Sequence, residues 1–186
     1  MLISRFDRID TVTVPDKFMS VITVGEGDFE ERPDLKEKLE ADKDSLDYLA
    51  VKAETDPLDH PDLYKIIKAE RPKGLKVLIV TDGRDPAILD DLIGAGYAHA
   101  IDLLVGRSLT EKQAECMRIA TDNGCRYAVT VKAKDHNEDT LSEISGSCKG
   151  CSMFIISQDK KDPVSKSDMS KLATAAKKAT WNVKYN

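Results

Sequence analysis

The chain has 186 residues, with Lys plus Arg at 28, Asp plus Glu at 33 and a formal net charge of −5. That length suits one domain whose core needs no disulfide staples, and the acidic balance excludes a dedicated nucleic-acid binder, which needs a basic field against phosphates. Four cysteines (Cys116, Cys125, Cys148 and Cys151) in a chain this long are not a disulfide framework. The first ten residues alternate charged and apolar side chains, and no apolar run approaches the ~20 residues that cross a bilayer. The expectation is a single domain over residues 1–186, cytoplasmic, with no membrane and no nucleic-acid partner.

Apolar, β-branched runs recur at residues 19–24, 48–53, 76–80, 100–105, 127–131 and 153–157. Their near-continuous hydrophobicity predicts strands covered on both faces, as in a parallel sheet. Helix signals separate them. Pro33 opens a charged helix ending near Lys43, with Leu35 and Leu39 inward. Pro61 takes a first helical position ahead of Leu63, Ile66 and Ile67, with His60 at the N-cap. Asp85-Pro86 starts a helix that turns Ile88, Leu89, Leu92 and Ile93 inward and stops at Gly94 and Gly96. Thr110 with Gln113 makes a capping box before Cys116, Ile119 and Ala120, which mark Cys116 as core. Helices over 137–144 and 165–179 complete the set, and 181–185 is either a seventh strand or a packed tail.

Strand starts spaced by 29, 28, 24, 27 and 26 residues are the rhythm of a repeated βα unit with right-handed crossovers. The fold class is therefore α/β: a partial (βα)6 barrel or, alternatively, a doubly wound open parallel sheet. In either, function gathers at the carboxyl ends of the strands.

The first predicted strand runs into Gly25-Glu26-Gly27-Asp28, half of a dinucleotide fingerprint. No third glycine follows, and Glu30 and Glu31 at the next helix start oppose a pyrophosphate. The second strand ends in Glu54-Thr55-Asp56-Pro57 and the third in Thr81-Asp82-Gly83. The fourth carries Asp102, the fifth Thr130 and Lys132, and the sixth leads into Gln158-Asp159. Asp56, Asp82 and Asp102 facing one crevice suit a hard cation, ribose hydroxyls or an amine; taken singly, Asp56 and Asp82 equally suit helix caps. The candidate ligand-binding set is Asp56, Pro57, Thr81, Asp82, Gly83, Asp102 and Lys132. No catalytic residue and no metal ligand is assigned.

Cys125 and the pair Cys148-Lys149-Gly150-Cys151 precede strands and so belong to the opposite, amino-terminal face. A lone CxxC supplies half the ligands of a structural zinc, so small, partly buried thiols are the expectation. His60, His99 and His136 lack a nucleophile partner at a telling spacing and are expected to be solvated. Lys160, Lys161, Lys166, Lys171, Lys177, Lys178 and Lys184 spread around Met169, Leu172 and Ala176 as the wet side of an amphipathic helix.

Several of these residues together resemble a family. The stretch Glu54-Thr55-Asp56-Pro57-Leu58-Asp59-His60-Pro61-Asp62-Leu63, then Gly74-Leu75-Lys76-Val77 and Thr81-Asp82-Gly83, is similar to the middle of radical S-adenosylmethionine (radical SAM) proteins. In that superfamily a Gly-Gly-Glu-Pro turn ends strand two and Thr-Asn-Gly ends strand three. Ile88-Leu89-Asp90-Asp91-Leu92, Ala95-Gly96-Tyr97, Ala100-Ile101-Asp102 and the opening Thr13-Val14-Pro15-Asp16-Lys17 resemble the glycyl-radical activating enzymes, including the anaerobic ribonucleotide reductase activases. The resemblance covers roughly residues 8 to 160 and implies a partial (βα)6 barrel.

The departures from that family carry as much information. Its CxxxCxxC, which binds a [4Fe–4S] cluster, follows strand one; here that loop, residues 25–33, contains no cysteine. Carboxylates do not replace three thiolates around such a cluster. Glu54-Thr55 replace the two glycines, Asp56 the glutamate, Asp82 the asparagine, and Leu104 stands where activases carry lysine. The expectation is a radical SAM-like barrel without the iron–sulfur cluster, with S-adenosylmethionine the one cofactor left open. It would act as a non-catalytic protein with a protein partner or a small polar ligand. Two alternatives stand beside it: an enzyme of another class using Asp56, Asp82, Asp102 and Lys132, or an activase whose cluster ligands come from elsewhere.

Overall fold

A computed structural model describes residues 3–27, 30 and 32–185 of the chain. Strand β1 (Ile3–Asp10) pairs antiparallel with β2 (Met19–Val24). From β2 onward strand and helix alternate: α1 (Pro33–Asp42), β3 (Tyr48–Ala53), α2 (Leu63–Glu70), β4 (Val77–Thr81), α3 (Pro86–Gly94) and β5 (Ala100–Val105). The series continues with α4 (Glu111–Asp122), β6 (Arg126–Lys132), α5 (Glu138–Ser147), β7 (Met153–Ser157), α6 (Lys166–Lys177) and β8 (Val183–Tyr185). The sheet order is β1 to β8 without a reversal, and every pair from β2 to β8 is parallel. A doubly wound sheet requires a point where strand order reverses, so that alternative is set aside in favour of the partial barrel. The segment over 181–185 supplies a seventh parallel strand; β1 had no counterpart among the predicted elements, because half of its residues are charged and only Ile3 is fully buried.

Side-chain alternation along the strands divides the apolar residues into two clusters. One contains Ile22, Leu49, Val51, Ile79, Ile101, Val129 and Phe154 with the buried residues of the helices, such as Leu39, Ile66, Leu92, Leu141 and Leu172. The other contains Met19, Val21, Tyr48, Ala50, Leu78, Val80, Ala100, Ala128 and Ile155, and no helical residue. The helices therefore cover one face only, and the second cluster is the barrel interior, packed at its amino-terminal half by these side chains. Strands β2 to β7 bury both faces over most of their length, which is why their hydrophobicity reads as continuous. Among the described residues no ladder joins β8 to β1. One ion pair, Lys184 Nζ to Asp16 Oδ2 at 2.6 Å, spans the gap. No helix among the described residues is long and apolar enough to cross a membrane.

One helix start differs from expectation. α2 begins at Leu63 with Asp62 as N-cap, and Pro61 lies in the turn before it. His60 accepts a hydrogen bond on Nδ1 from the Asp62 amide at 3.1 Å and is not the cap. The capping box of Thr110 and Gln113, and the Asp85 cap of α3 on the Ile88 amide, form as the residue types dictate.

Candidate ligand-binding site

The carboxyl ends of β3 and β4 are knit into one network around Asp56. Its carboxylate accepts from the Leu58 amide at 2.8 Å, the Asp82 amide at 2.6 Å and the Thr81 hydroxyl at 2.7 Å. Thr81 Oγ1 in turn accepts from the Gly83 amide at 2.9 Å. Pro57, Leu58 and Asp59 form a 3₁₀ turn that Asp56 caps, so the capping role predicted for Asp56 is realised. The one predicted for Asp82 is not. Its carboxylate instead pairs with the Arg84 guanidinium, which also reaches Asp59 at 3.0 Å, because Asp85 already stands at the start of α3.

Three residues of α4 that were not among the candidate site residues complete this turn. Gln113, beyond its part in the capping box, donates from Nε2 to the carbonyls of Asp82 at 2.9 Å and Leu104 at 3.0 Å. Lys112 Nζ donates to the Arg84 carbonyl at 2.8 Å. Cys116 is core as predicted, but its thiol lies against the Gly83 carbonyl at 3.6 Å, beneath the loop. Gly83 has φ +74°, and a Cβ there would come within 2.8 Å of Leu103 Cδ1. Glycine is needed at this position for both its backbone and its lack of a side chain.

Asp102 lies apart from this network. It is 1% exposed and sits on the inner face of β5, two residues beyond Ala100. Its Oδ1 accepts from Thr130 Oγ1 at 2.7 Å, across the β5–β6 ladder. Asp102 has no hydrogen bond with Asp56 or Asp82, and among the described residues no three His, Cys, Asp or Glu side chains converge as a metal ion would need. Alternation sets Thr23, Lys52, Asp102 and Thr130 on the inner face above the apolar interior. Thr23 pairs with Lys52, Val51 with Ile79 and Val80 with Asp102, which puts Lys52 and Asp102 on one row two strands apart. Their Cα atoms are roughly 10 Å apart on that spacing. The Thr23 hydroxyl is buried without a hydrogen-bond partner. Lys132, two residues past Thr130 on the same face, lines a 220 Å³ pocket with Lys134, Ser157, Gln158 and Asp159. Leu104, on the inner face of β5, is 40% exposed.

The environments set the protonation states. Burial pushes the Asp102 carboxyl up to about 7, only partly opposed by the Thr130 hydrogen bond. Burial likewise raises Asp56, to about 6, against the hydrogen bonds from Thr81, Asp82 and Leu58 that favour its charged form. Asp82 is held below the usual carboxylate range by Arg84.

The remaining candidates are quiet. Burial, with the negative charge of Asp56, pushes the Cys116 thiol up to about 12; burial takes Cys148 to about 12 and Cys125 to about 11. These are neutral thiols, and Cys148 and Cys151 are buried at the amino-terminal face as predicted. The expectation of solvated histidines is corrected: all three rings are half-buried, and His60 already accepts the Asp62 amide. His99 Nδ1 accepts from the Val77 amide at 3.3 Å, and both ring nitrogens of His136 are buried without a hydrogen-bond partner. Burial lowers the pKa of both rings.

No family model matches the sequence, and no curated protein matches it. Solved structures do. Two mutant forms of the tryptophan synthase α-subunit from the hyperthermophile Pyrococcus furiosus align with it. The first is 13% identical with a TM-score of 0.50, over 82% of this chain and 71% of that one. The second is 12% identical with a TM-score of 0.55, over 91% and 78%. The chain has an α/β barrel fold. At such identity the likeness concerns fold alone, and the site must be argued from its own residues.

Proposed function

We propose that this chain is a radical SAM-like barrel that works without radical chemistry, binding a protein partner or a small polar ligand at the carboxyl ends of its strands. The observation that carries this reading is the placement of the thiols. The loop after β2, where the family's cluster would be held, contains no cysteine. Cys125, Cys148 and Cys151 lie at the amino ends of β6 and β7, and Cys116 is packed under the β4 turn. The residues present do not fit a [4Fe–4S] cluster.

The polar inner face supports a ligand role. Thr23, Lys52, Asp102 and Thr130 stand above an apolar floor, the mixture that small-molecule sites use. S-Adenosylmethionine is the first ligand to test by calorimetry, alongside co-purification of the tagged chain from its native extract. Saturable binding, or a stoichiometric protein partner, is the expected result. Anaerobically purified chain carrying four iron and four sulfide per molecule would overturn the reading.

A second reading, an enzyme of another class, draws on Asp102, whose carboxyl near neutrality is suited to acid–base work. It predicts that the pH profile of any turnover found has a midpoint near 7 and that Asp102→Asn abolishes that turnover. Turnover retained in the variant would exclude it.

A further inference from the structure

A cavity of 610 Å³ lies outside the barrel mouth. It runs along α6 beside β8, where among the described residues the sheet has no further strand and no further helix follows. Its apolar wall is Val164, Met169, Ala173 and Tyr185; Ser170 and Thr174 form a polar strip along the helix. Ser170, Ala173, Thr174 and Lys177 follow i, i+3, i+4, i+7 spacing, so a single face of α6 is presented to it. Its volume is in the range of ligand sites.

Gln158 and Val164 line this cavity and also the 220 Å³ pocket that holds Lys132, so the two adjoin through the β7–α6 loop. The charges in the smaller pocket are unequally engaged. Lys134 faces Asp162 at 3.9 Å, and Asp159 Oδ1 accepts from the Lys161 amide at 2.8 Å. Lys132 has no ion-pair partner among the described residues. Lys166 and Lys177, which line the trough itself, also have no ion-pair partner among the described residues, and a trough with an apolar wall and ammonium groups outside any ion pair matches an amphiphilic monoanion. A phosphate fits less well, since the first turn of α6 is already capped by Ser165 on the Asp168 amide at 3.1 Å.

We infer that the trough and the pocket form one site for a carboxylate with an unbranched apolar chain, the chain lying along α6 and the carboxylate on Lys132. This site contains none of Thr23, Lys52, Asp102 and Thr130. The ligand's apolar length sets affinity: each methylene buried strengthens binding about fourfold until the trough is full.

The test is calorimetry of the whole chain with hexanoate, octanoate and decanoate below their micellar range, with decyltrimethylammonium and inorganic phosphate as controls. Decanoate is expected to bind one to one, tighter than octanoate and hexanoate in turn, while decyltrimethylammonium and phosphate bind at least tenfold more weakly. Thr174→Trp, an exposed substitution that fills the trough, should cut decanoate affinity more than tenfold. Ser170→Trp should do the same if the first variant misfolds. Lys132→Gln should weaken decanoate about tenfold and remove its advantage over decyltrimethylammonium. Absence of saturable decanoate binding, equal binding of the cationic control, or wild-type affinity in the folded tryptophan variants would overturn the inference.

Discussion

Asp56 and Asp102 are both buried aspartates near the carboxyl ends of adjacent parts of one parallel sheet, and they do different work. Asp56 accepts from two backbone amides and a hydroxyl, so its carboxylate is consumed in holding the β4 turn in place. Asp102 accepts one hydroxyl and is otherwise surrounded by the barrel interior. Burial raises both, and three donors oppose it at Asp56 where one does at Asp102. Carboxylates that look equivalent along the chain thus differ in how many donors the fold aims at each: one braces a turn, the other keeps a single hydroxyl partner.

Substitutions sharpen that contrast. The largest effect is expected for Asp56→Ala, which strands the Leu58 and Asp82 amides and the Thr81 hydroxyl in a buried turn. A loss of about 3–4 kcal/mol in urea unfolding is predicted, with the folded baseline otherwise retained. Retention of wild-type stability would mean the network braces nothing.

Asp102→Asn should act in the opposite direction. The folded carboxyl keeps its proton up to about 7, whereas the unfolded one releases it near its ordinary 3.8. Between those values the native state binds more protons, so wild-type stability falls as pH rises through this window. The amide oxygen still accepts from Thr130. The variant should therefore be more stable than wild type at pH 8, by on the order of 2–3 kcal/mol, and no more stable at pH 4. Urea midpoints across pH 4–8 check this, and an unchanged pH dependence would reassign the titrating group.

Gly83→Ala tests the turn from its other side. It imposes a left-handed backbone on a residue with a Cβ and a 2.8 Å contact with Leu103. A loss of about 2 kcal/mol is expected in the same unfolding experiment. The smallest effect belongs to Lys184→Ala at the barrel gap, where both partners of the ion pair are substantially exposed. Under ~0.5 kcal/mol is predicted, and thermal melts at low and high salt should differ little.

Much of this fold was legible along the chain because the signals are local. The continuous runs around Leu49, Ile79, Ile101 and Phe154 mark strands buried on both faces, and the Thr110–Gln113 box and the Asp85-Pro86 start are set by residues within one turn. β1 was not legible: Ile3–Asp10 carries the charges of an exposed edge, and only pairing with β2 makes it a strand. The site divides in the same way. Asp56, Thr81, Asp82 and Gly83 were nominated together and stand together. Gln113 and Cys116 were missed as parts of that turn, because their contacts with it span about thirty residues of sequence.

The sequence by itself determined the βα rhythm, the absence of thiols in the loop after β2 and the polar residues at the strand ends, since each depends on residue type and short-range spacing. Tertiary structure decided which way each polar group points and what it meets. The register that sets Val80 beside Asp102, and the turn that brings Asp82 to Asp56, exist only once the strands are paired. Hydrogen-bond satisfaction and desolvation are properties of that packed arrangement, and they are what distinguish Asp56 from Asp102.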